Sequence, residues 1–374
     1  MPLPPVSSFL EPFRFLLAAT PFVNRFLSTH DDFAPHPAAH FEGYYTRLLT
    51  DDGATILFIF SSVFTAVDKP HLVHFSYLPR DPKDPRRIVV NRFPHITDVW
   101  GSTHGNGVTE FSRVAEGDGV QGSYKIGRHE QRYRLELETK EYGLLEVEAD
   151  LTDRTAWSRG NELSTPEGIF SKLTYLMPLH WNVLSTSSNA SCTIKRNGDI
   201  FAQVTGMAHI EKNWGASFPT GWTWLQGFQK SAENTKTFAM AGGRTMGQKA
   251  YLLGYRSNKI DISFAPLWTL MPFGIPTPFA KDMVDSKNGQ ITFDVCSLSQ
   301  RLVVEAQGPP HEDENWIGLH CPLSDGHGNT WAWESFVGTI KVKAYVRGLL
   351  GWKLVDEALF EDAAVEFGGE YRTS

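Results

Sequence analysis

The chain has 374 residues, of which 41% are hydrophobic and 21% charged, and its formal net charge is -7. This length leaves room for two hydrophobic cores, and the composition is that of a soluble globular protein. Because nucleic-acid binding needs a basic patch, we expect no nucleic-acid partner. Cys192, Cys296 and Cys321 lie far apart without Cys-x-x-Cys spacing, which supports neither a disulfide framework nor a zinc site and favours the cytoplasm.

Residues 1–35 are interpreted as an N-terminal arm. Phe9, Phe13 and Leu16 recur at helical spacing, which predicts a short helix with one apolar face. Prolines and charged residues interrupt the apolar run, so we expect no integral membrane span and no signal peptide. Two interpretations stay open: the helix packs on the body of the protein, which we favour, or its apolar face docks on a membrane surface.

The rest of the chain is rich in short strand patterns. Apolar and charged residues alternate in Arg132–Glu138 and Leu145–Ala149, as in antiparallel strands with one solvated face. Turn signals at residues 51–53 and 197–199 lie between such runs. Long helical patterns are nearly absent, which predicts an all-β fold of the sandwich or barrel type.

Two parts of the chain repeat a similar order of strands. Residues 43–60 and 221–241 each place a glycine and aromatic residues before a turn and a second apolar strand, and residues 145–149 have a counterpart at 302–306. This self-similarity predicts two β-barrel or β-sandwich domains in tandem. We place the N-terminal domain at residues 36–205, with 152–173 as an irregular link, and the C-terminal domain at residues 206–374.

The most informative segment runs from Glu211 to Gln226. It combines three tryptophans with Glu211 and Lys212. In a strand, Trp222, Trp224 and Gln226 would share one face. Core filling would explain a single tryptophan. Charged residues beside three indoles are instead typical of a small-molecule pocket, in which a few polar groups stand in an apolar wall.

This segment resembles the signature of the tocopherol cyclase family. Residues 211–215 read Glu-Lys-Asn-Trp-Gly and are followed, after a short spacer, by Phe-Pro and then Trp-x-Trp-x-Gln. Residues 41–45 resemble the family's Phe-Glu-Gly-Trp-Tyr segment, and His180 with Trp181 resembles its Pro-His-Trp segment. These correspondences keep their order and cover most of residues 36–260.

The chain also departs from this family. Tyr44 stands where the family has Trp, Leu179 stands where it has Pro, and the C-terminal third aligns poorly. The resemblance implies a lipocalin-like fold, similar to that of carotenoid hydratases and fungal intramolecular Diels-Alderases. It therefore implies a fold and an apolar pocket more firmly than it implies one reaction.

Sequence motifs for metal, phosphate or redox-cofactor binding are missing. The 13 histidines lack metal-ligand spacing, and there is no Gly-x-Ser-x-Gly elbow or phosphate loop. We therefore expect no cofactor and no metal. Catalysis would then depend on a pocket that holds a small hydrophobic substrate in a reactive conformer. The sequence leaves the oligomeric state open.

We expect this pocket to be an indole-lined hollow between the two domains. Polar groups on it would donate a hydrogen bond to a carbonyl or a proton to an alkene, and His209 is a further candidate acid. A structural alternative is that Lys212 simply pairs with Glu211 or Glu42. The candidate catalytic residues are Lys212, Glu211, Glu42 and Tyr45. The candidate substrate-binding residues are Tyr44, Trp181, Trp214, Trp222, Trp224, Gln226 and Trp333.

Three functions fit these features. We favour a cyclase of the isomerase class that acts in natural-product biosynthesis through a pericyclic [4+2] cycloaddition. The alternatives are an acid-catalysed chromanol ring closure of the tocopherol cyclase type and a non-catalytic carrier of an apolar metabolite. The departure at Tyr44 and the lack of a Ser- and Arg-rich transit segment before Phe41 favour the pericyclic reaction over the chromanol reaction.

Overall fold

The computed structural model describes residues 32–104, 107–172, 177–229, 234–245 and 247–373. The helix predicted around Phe9 and most of the N-terminal arm lie outside these residues. Within them, strands dominate, which confirms the all-β prediction. The described helical elements are the short segments α1 (Pro266–Thr269), α2 (Glu370–Thr373) and two 3₁₀ turns, Gly168–Lys172 and Pro272–Gly274. No helix in these ranges has the length and apolar content needed to cross a bilayer.

The first half of the described chain forms an antiparallel sheet of eleven strands. The strands of this half are β1 (Phe41–Thr50), β2 (Thr55–Val63), β3 (His71–Leu78), β4 (Ile88–Arg92), β5 (His95–Trp100), β6 (Thr103–His104), β7 (Gly107–Val108), β8 (Glu110–Gly117), β9 (Val120–Gly127), β10 (Gln131–Thr139), β11 (Gly143–Thr155), β12 (Leu179–Arg196) and β13 (Asp199–Gly215). Their order in the sheet is β4-β3-β2-β1-β13-β12-β11-β10-β9-β8-β5, and β6 pairs separately with β7.

The second half forms another antiparallel sheet. Its strands are β14 (Gly221–Gln229), β15 (Lys236–Thr245), β16 (Gln248–Arg256), β17 (Asp261–Phe264), β18 (Ala280–Asp285), β19 (Gln290–Cys296), β20 (Gln300–Gln307), β21 (Ile317–His320), β22 (Thr330–Gly348) and β23 (Gly351–Gly369). Their order is β17-β16-β15-β14-β23-β22-β20-β19-β18, and β21 pairs with the N-terminal part of β22.

The two sheets repeat one strand order. Strands β14, β15, β16 and β17 take the places that β1, β2, β3 and β4 take in the first sheet, and the long hairpin β22–β23 takes the place of β12–β13. Strand β20 occupies the position of β11. The segments whose sequences echo one another therefore lie at equivalent positions of two sheets with the same topology.

The change from one sheet to the other comes later than the sequence predicted. The expected boundary between residues 205 and 206 falls inside β13, which pairs with β1 and β12 as far as Gly215. The second sheet begins at Gly221, so the connecting segment is 216–220. The predicted irregular link also starts later, because β11 continues to Thr155. The division into two folding domains stays a proposal.

Each sheet has a hydrophobic core of its own, and a third hydrophobic cluster lies between the sheets. On β1, Tyr44 and Leu48 belong to the first core, and on β14, Leu225 belongs to the second. Trp222 and Trp224, also on β14, belong to the cluster between the sheets. Because side chains alternate along a strand, neighbouring residues thus serve different clusters.

Arg47 links the two sheets from a fully buried position on β1. Its guanidinium donates a hydrogen bond of 2.5 Å to the Gln226 side chain on β14 and another to the Asp362 carbonyl on β23. The rings of Phe228 and Phe336 lie beside it, with centroids 5.7 and 5.3 Å away. Burial lowers the pKa of Arg47 to about 10, so the side chain remains charged at neutral pH.

We expect Arg47→Ala to destabilise the protein, because it leaves buried acceptors of the second sheet unpaired. The expected loss in the free energy of unfolding is about 1–3 kcal/mol for each acceptor. Arg80→Ala is the matched control: Arg80 pairs with the Asp362 carboxylate from an exposed position, so it should cost about 0–1 kcal/mol. Urea denaturation of both variants measures this, and equal losses would show that Arg47 is not a specific link.

Candidate functional site

A cavity of about 400 Å³ lies between the two sheets. Its volume is within the range of small-molecule sites. One wall comes from β1, β2, β12 and β13, and the other from β14, β15, β16, β21, β22 and β23. The main aromatic and polar residues around it are Tyr44, Tyr45, Ser61, Trp181, Glu211, Asn213, Phe218, Trp222, Trp224, Gln248, Tyr251, His320 and Glu366.

Three of the predicted indoles lie on this cavity. Trp181 comes from the start of β12, and Trp222 and Trp224 project from the same face of β14. Tyr45 packs edge-on against Trp224 with ring centroids 5.1 Å apart, and Phe218 packs against Trp222 at 5.2 Å. The indoles are therefore fixed by neighbouring rings and form a rigid apolar wall.

Close packing behind Trp222 holds its ring in place. A methyl group at Gly368 would lie 2.0 Å from an atom of the Trp222 ring, far closer than any van der Waals contact. Glycine at this position of β23 therefore lets the indole lie flat against the strand.

Glu211 is the predicted acidic residue that reaches the cavity. Its Oε2 accepts hydrogen bonds from the Trp224 indole at 3.0 Å and from His209 Nε2 at 2.8 Å. All three side chains are buried. This arrangement orients Trp224 through its nitrogen as well as through its ring.

Two further carboxyls, which the sequence interpretation missed, lie beside this group. Glu334 on β22 and Glu366 on β23 are direct partners in the strand register. The Tyr45 hydroxyl donates to Glu334 Oε1 at 2.6 Å, and the Trp222 indole nitrogen donates to Glu366 Oε1. Glu334 Oε2 is buried and has no hydrogen-bond partner among the residues that the structure describes.

Burial governs the protonation of these two carboxyls. Burial and, to a smaller extent, the Glu211 charge raise the pKa of Glu366 to about 7 against the hydrogen bond from Trp222, which lowers it. Burial and then the Glu366 charge raise the pKa of Glu334 well above its ordinary value. A sequence signal for both exists, since each is an acidic residue in the apolar part of a long strand, at Ala332–Phe336 and Ala363–Gly369.

Lys212 and Glu42, two predicted catalytic residues, lie on the other face of the first sheet. The Lys212 ammonium is 2.9 Å from Glu42 Oε1, and both side chains are fully buried. The ammonium also donates to the Ala34 carbonyl at 2.7 Å, and His36 Nδ1 lies 3.0 Å from the Glu42 carboxylate. Burial would raise the pKa of Glu42, but Lys212 and then His36 outweigh it and hold the pKa at about 2.

The other predicted residues divide between these regions. The Tyr44 ring packs in the first core against Tyr124, although the residue borders the cavity. Trp214 stacks on the His36 ring at 4.2 Å, on the same face as Lys212. The Gln226 side chain accepts a hydrogen bond from Arg47, and Trp333 packs against the second core. The structure thus brings together Tyr45, Glu211, Trp181, Trp222 and Trp224 on the cavity, which Tyr44 also borders, and places the remaining candidates away from it.

His180, next to Trp181 in the segment that resembles the family, has a positioning contact. Its Nδ1 lies 2.8 Å from Glu167 Oε2, and the Trp181 backbone amide donates to Glu167 Oε1 at 2.6 Å. Glu167 is buried, so it fixes the start of β12 and with it the Trp181 indole. Across the described ranges, His, Cys, Asp and Glu side chains form no group of three or more that could hold a metal ion.

We expect the Glu42–Lys212 pair to act as a structural ion pair. Glu42→Gln and Lys212→Met each remove one partner of a fully buried ion pair and should each lower the free energy of unfolding by about 3–5 kcal/mol. The double variant should recover most of this loss. Because the folded pKa of Glu42 lies below the unfolded value of 4.5, its contribution is present above that pH and is lost as the pH falls towards 2.

Denaturation of the four proteins across this pH range tests the pair. The wild type should lose more stability than the double variant between pH 4.5 and about 2. Parallel curves would show that Glu42 is not the group that titrates.

Gly368→Ala should displace the Trp222 indole and reduce binding in the cavity. Gly328→Ala is the matched control, because its added methyl group would meet no atom within 4 Å. Binding of the neutral apolar dye N-phenyl-1-naphthylamine, followed by its fluorescence, should weaken roughly tenfold or more in Gly368→Ala, which corresponds to about 1.4 kcal/mol. Unchanged dye binding by a folded Gly368→Ala protein would contradict this.

Comparison with known proteins agrees with this architecture. Two crystal structures of CghA resemble the chain: one without a named ligand has a TM-score of 0.55 at 10% identity and covers 92% of this chain and 96% of CghA. The other, with Sch210972, has a TM-score of 0.51 at 9% identity and covers 92% and 97%. At this identity the likeness concerns the fold alone. A search of curated proteins found no match.

The sequence itself matches a family model described as tocopherol cyclase-like over residues 38–254. This match includes the whole first sheet and the start of the second, with β14 and β15. The predicted resemblance is thereby confirmed. The chain belongs to the tocopherol cyclase-like family.

Proposed function

We propose that the protein is a cofactor-independent cyclase that folds one apolar, unsaturated molecule in the cavity between the sheets for intramolecular ring closure. The observation that carries this proposal is the cavity itself, whose apolar wall includes Trp181, Trp222 and Trp224. A preformed wall of rigid rings restricts a flexible chain to few conformers. Intramolecular positioning of this kind lowers a barrier by up to about 7–11 kcal/mol in the best cases.

A pericyclic [4+2] cycloaddition in natural-product biosynthesis is the reaction we favour. It needs a folded substrate and a hydrogen-bond donor but no nucleophile. The family membership supports a cyclase, and the related fold of CghA, which was crystallised with Sch210972, supports a small-molecule ligand. Lys212, whose ammonium is paired with Glu42, is not needed for this chemistry.

An acid-catalysed chromanol closure is the second candidate. Glu366, with a pKa of about 7, lies on the cavity and holds a proton that an alkene could receive. Indole faces beside the cavity would stabilise the cation that follows. A non-catalytic carrier is the third candidate, since an apolar cavity also binds ligands without changing them.

Incubation of the pure protein with a linear polyene that carries a conjugated diene and a separate alkene tests the proposal. Ring closure faster than in buffer supports the enzyme, whereas unchanged polyene that co-elutes with the protein supports the carrier. The same reaction in deuterium oxide distinguishes the two enzymes. A cycloaddition leaves the product carbons free of solvent deuterium, and protonation of an alkene places deuterium on one of them.

Trp224→Ala should lower the rate of ring closure at least tenfold at temperatures where the variant remains folded, a loss of about 1.4 kcal/mol of transition-state stabilisation. Trp316→Ala is the matched control, because Trp316 is buried in the second core away from the cavity. It should lower stability by about 3–5 kcal/mol and leave the rate per folded molecule unchanged. Similar rates for Trp224→Ala and the wild type would refute a cavity role for this indole.

A further inference from the structure

We propose that the Glu366 carboxyl is a hydrogen-bond donor of the cavity and that it binds a carbonyl oxygen of the substrate. This assigns the substrate class as a neutral, apolar polyene conjugated to a ketone, ester or amide carbonyl. The inference deepens the proposed function and rests on it.

The position of Glu366 is the first argument. It lies on β23, which pairs with β14 on one side and with β22 on the other. Its directly opposite residue is Trp224 on β14 and Glu334 on β22. It lines the cavity and keeps part of its surface accessible, whereas Glu334 behind it is fully buried. Of this pair, Glu366 is therefore the carboxyl that a ligand can reach.

The surrounding charges are the second argument. Glu366 faces Glu334 from β22, Glu211 from β13 and the Cys321 thiol, and Trp222 donates to it from β14. His209 is bonded to Glu211, and Tyr45 is bonded to Glu334. The Arg47 charge lowers the pKa of Glu334 electrostatically, but the hydrogen bonds of Arg47 go to Gln226 and Asp362.

Glu366, Glu334 and Glu211 act on one another electrostatically in a largely buried region, and such a group of carboxyls is not fully ionised, because each charge is poorly solvated and repels the others. The unpartnered oxygen of Glu334 points to the same conclusion, since a buried carboxylate without a full set of donors is costlier than a neutral acid. Glu334 therefore holds its proton, and Glu366 holds its own up to a pH of about 7.

A neutral carboxylic acid is an O–H donor, and here Trp222 already fixes one of its oxygens. In a cycloaddition, electron density moves from the diene into an alkene conjugated to a carbonyl, and the carbonyl oxygen gains negative charge. A donor aimed at that oxygen stabilises the transition state more than the ground state. The proton stays on Glu366 throughout, and no bond to it is made or broken.

The same geometry gives selectivity. A hydrocarbon chain would leave the Glu366 hydroxyl without an acceptor in an apolar site, which is unfavourable. A polyene with a carbonyl at the matching position avoids this cost. The cavity therefore discriminates by a polar group of the substrate, in addition to its shape.

A fluorescent ketone tests the donor without any turnover. The probe is 6-propionyl-2-dimethylaminonaphthalene, whose emission shifts to the red when its carbonyl accepts a hydrogen bond. With the wild type we expect a red-shifted bound emission at about pH 5 that is lost at about pH 9. Glu366→Gln, which keeps an N–H donor without titrating, should retain the shift at both values. Glu366→Leu should show it at neither.

Glu361→Gln, an exposed change on the same strand, is the matched control and should behave as the wild type. Thermal melts establish that each variant is folded. A bound emission that is independent of pH in the wild type, or equal in Glu366→Leu, would overturn the inference.

Kinetics with a polyene ketone then relate the donor to ring closure. The wild-type rate should fall as the pH rises through about 7, because the neutral donor is lost above its pKa. Glu366→Gln should stay active with a flat pH profile, and Glu366→Leu should be at least tenfold slower. Equal activity in Glu366→Leu would refute the donor while leaving the cyclase intact. An inactive Glu366→Gln would refute it in favour of proton transfer. If the fluorescent ketone gives the expected shifts but neither the wild type nor any variant closes a ring, the proposed function is refuted and the donor role of Glu366 is not.

Discussion

The two-residue period of the β-strand decides which chemistry each residue of this protein takes part in. On β13, Glu211 and Asn213 face the space between the sheets, and Lys212 and Trp214 face the first core. On β14, Trp222 and Trp224 face the same space, and Leu225 faces the second core. Each half fills its own interior with one set of side chains and builds the shared cavity with the other.

The two groups of buried charges differ for this reason. In the first core, Lys212 neutralises Glu42, and the contacts of this pair with His36 and the Ala34 carbonyl tie the segment before β1 to the sheet. Between the sheets, Glu211, Glu334 and Glu366 accept hydrogen bonds from the Trp224 indole, the Tyr45 phenol and the Trp222 indole, which are all neutral donors. The first group stabilises the fold, whereas in the second group burial raises the pKa of Glu334 and Glu366. Perturbed protonation beside a cavity is typical of functional sites.

Much of the fold was predictable from local patterns. Alternation and turn signals indicate antiparallel strands, and the repeated order of strands indicates two similar sheets. The predicted boundary at residue 205 falls inside a 17-residue strand, because such a strand carries no local mark of where its pairing ends. Pairing of β13 with β1 joins residues distant in sequence, and a single sequence does not show such contacts.

Part of the cavity was also predictable from local sequence patterns. Three indoles close to one sequence motif indicated an apolar site. Adjacency in sequence, however, wrongly suggested that Glu211 and Lys212 share one pocket, although a strand sends them to opposite faces. Glu334 and Glu366 come from the far end of the chain and reach the motif only through the register of β14, β23 and β22. Their raised pKa values arise from burial, which the sequence does not report.

The connection between the sheets has a mechanical consequence. Within the described residues, strands pair only inside their own sheet, and the halves are joined in sequence by 216–220, with Phe218 and Pro219 beside the cavity. A small rotation about this tether would widen the cleft without breaking a single ladder hydrogen bond. Ligand exchange would then disturb contacts between the halves, such as those of Arg47, the bond between His327 and Ser61, and the hydrogen bond from the His327 amide to the Lys69 carbonyl. Admission and release can thus occur in a molecule whose backbone scaffold stays intact.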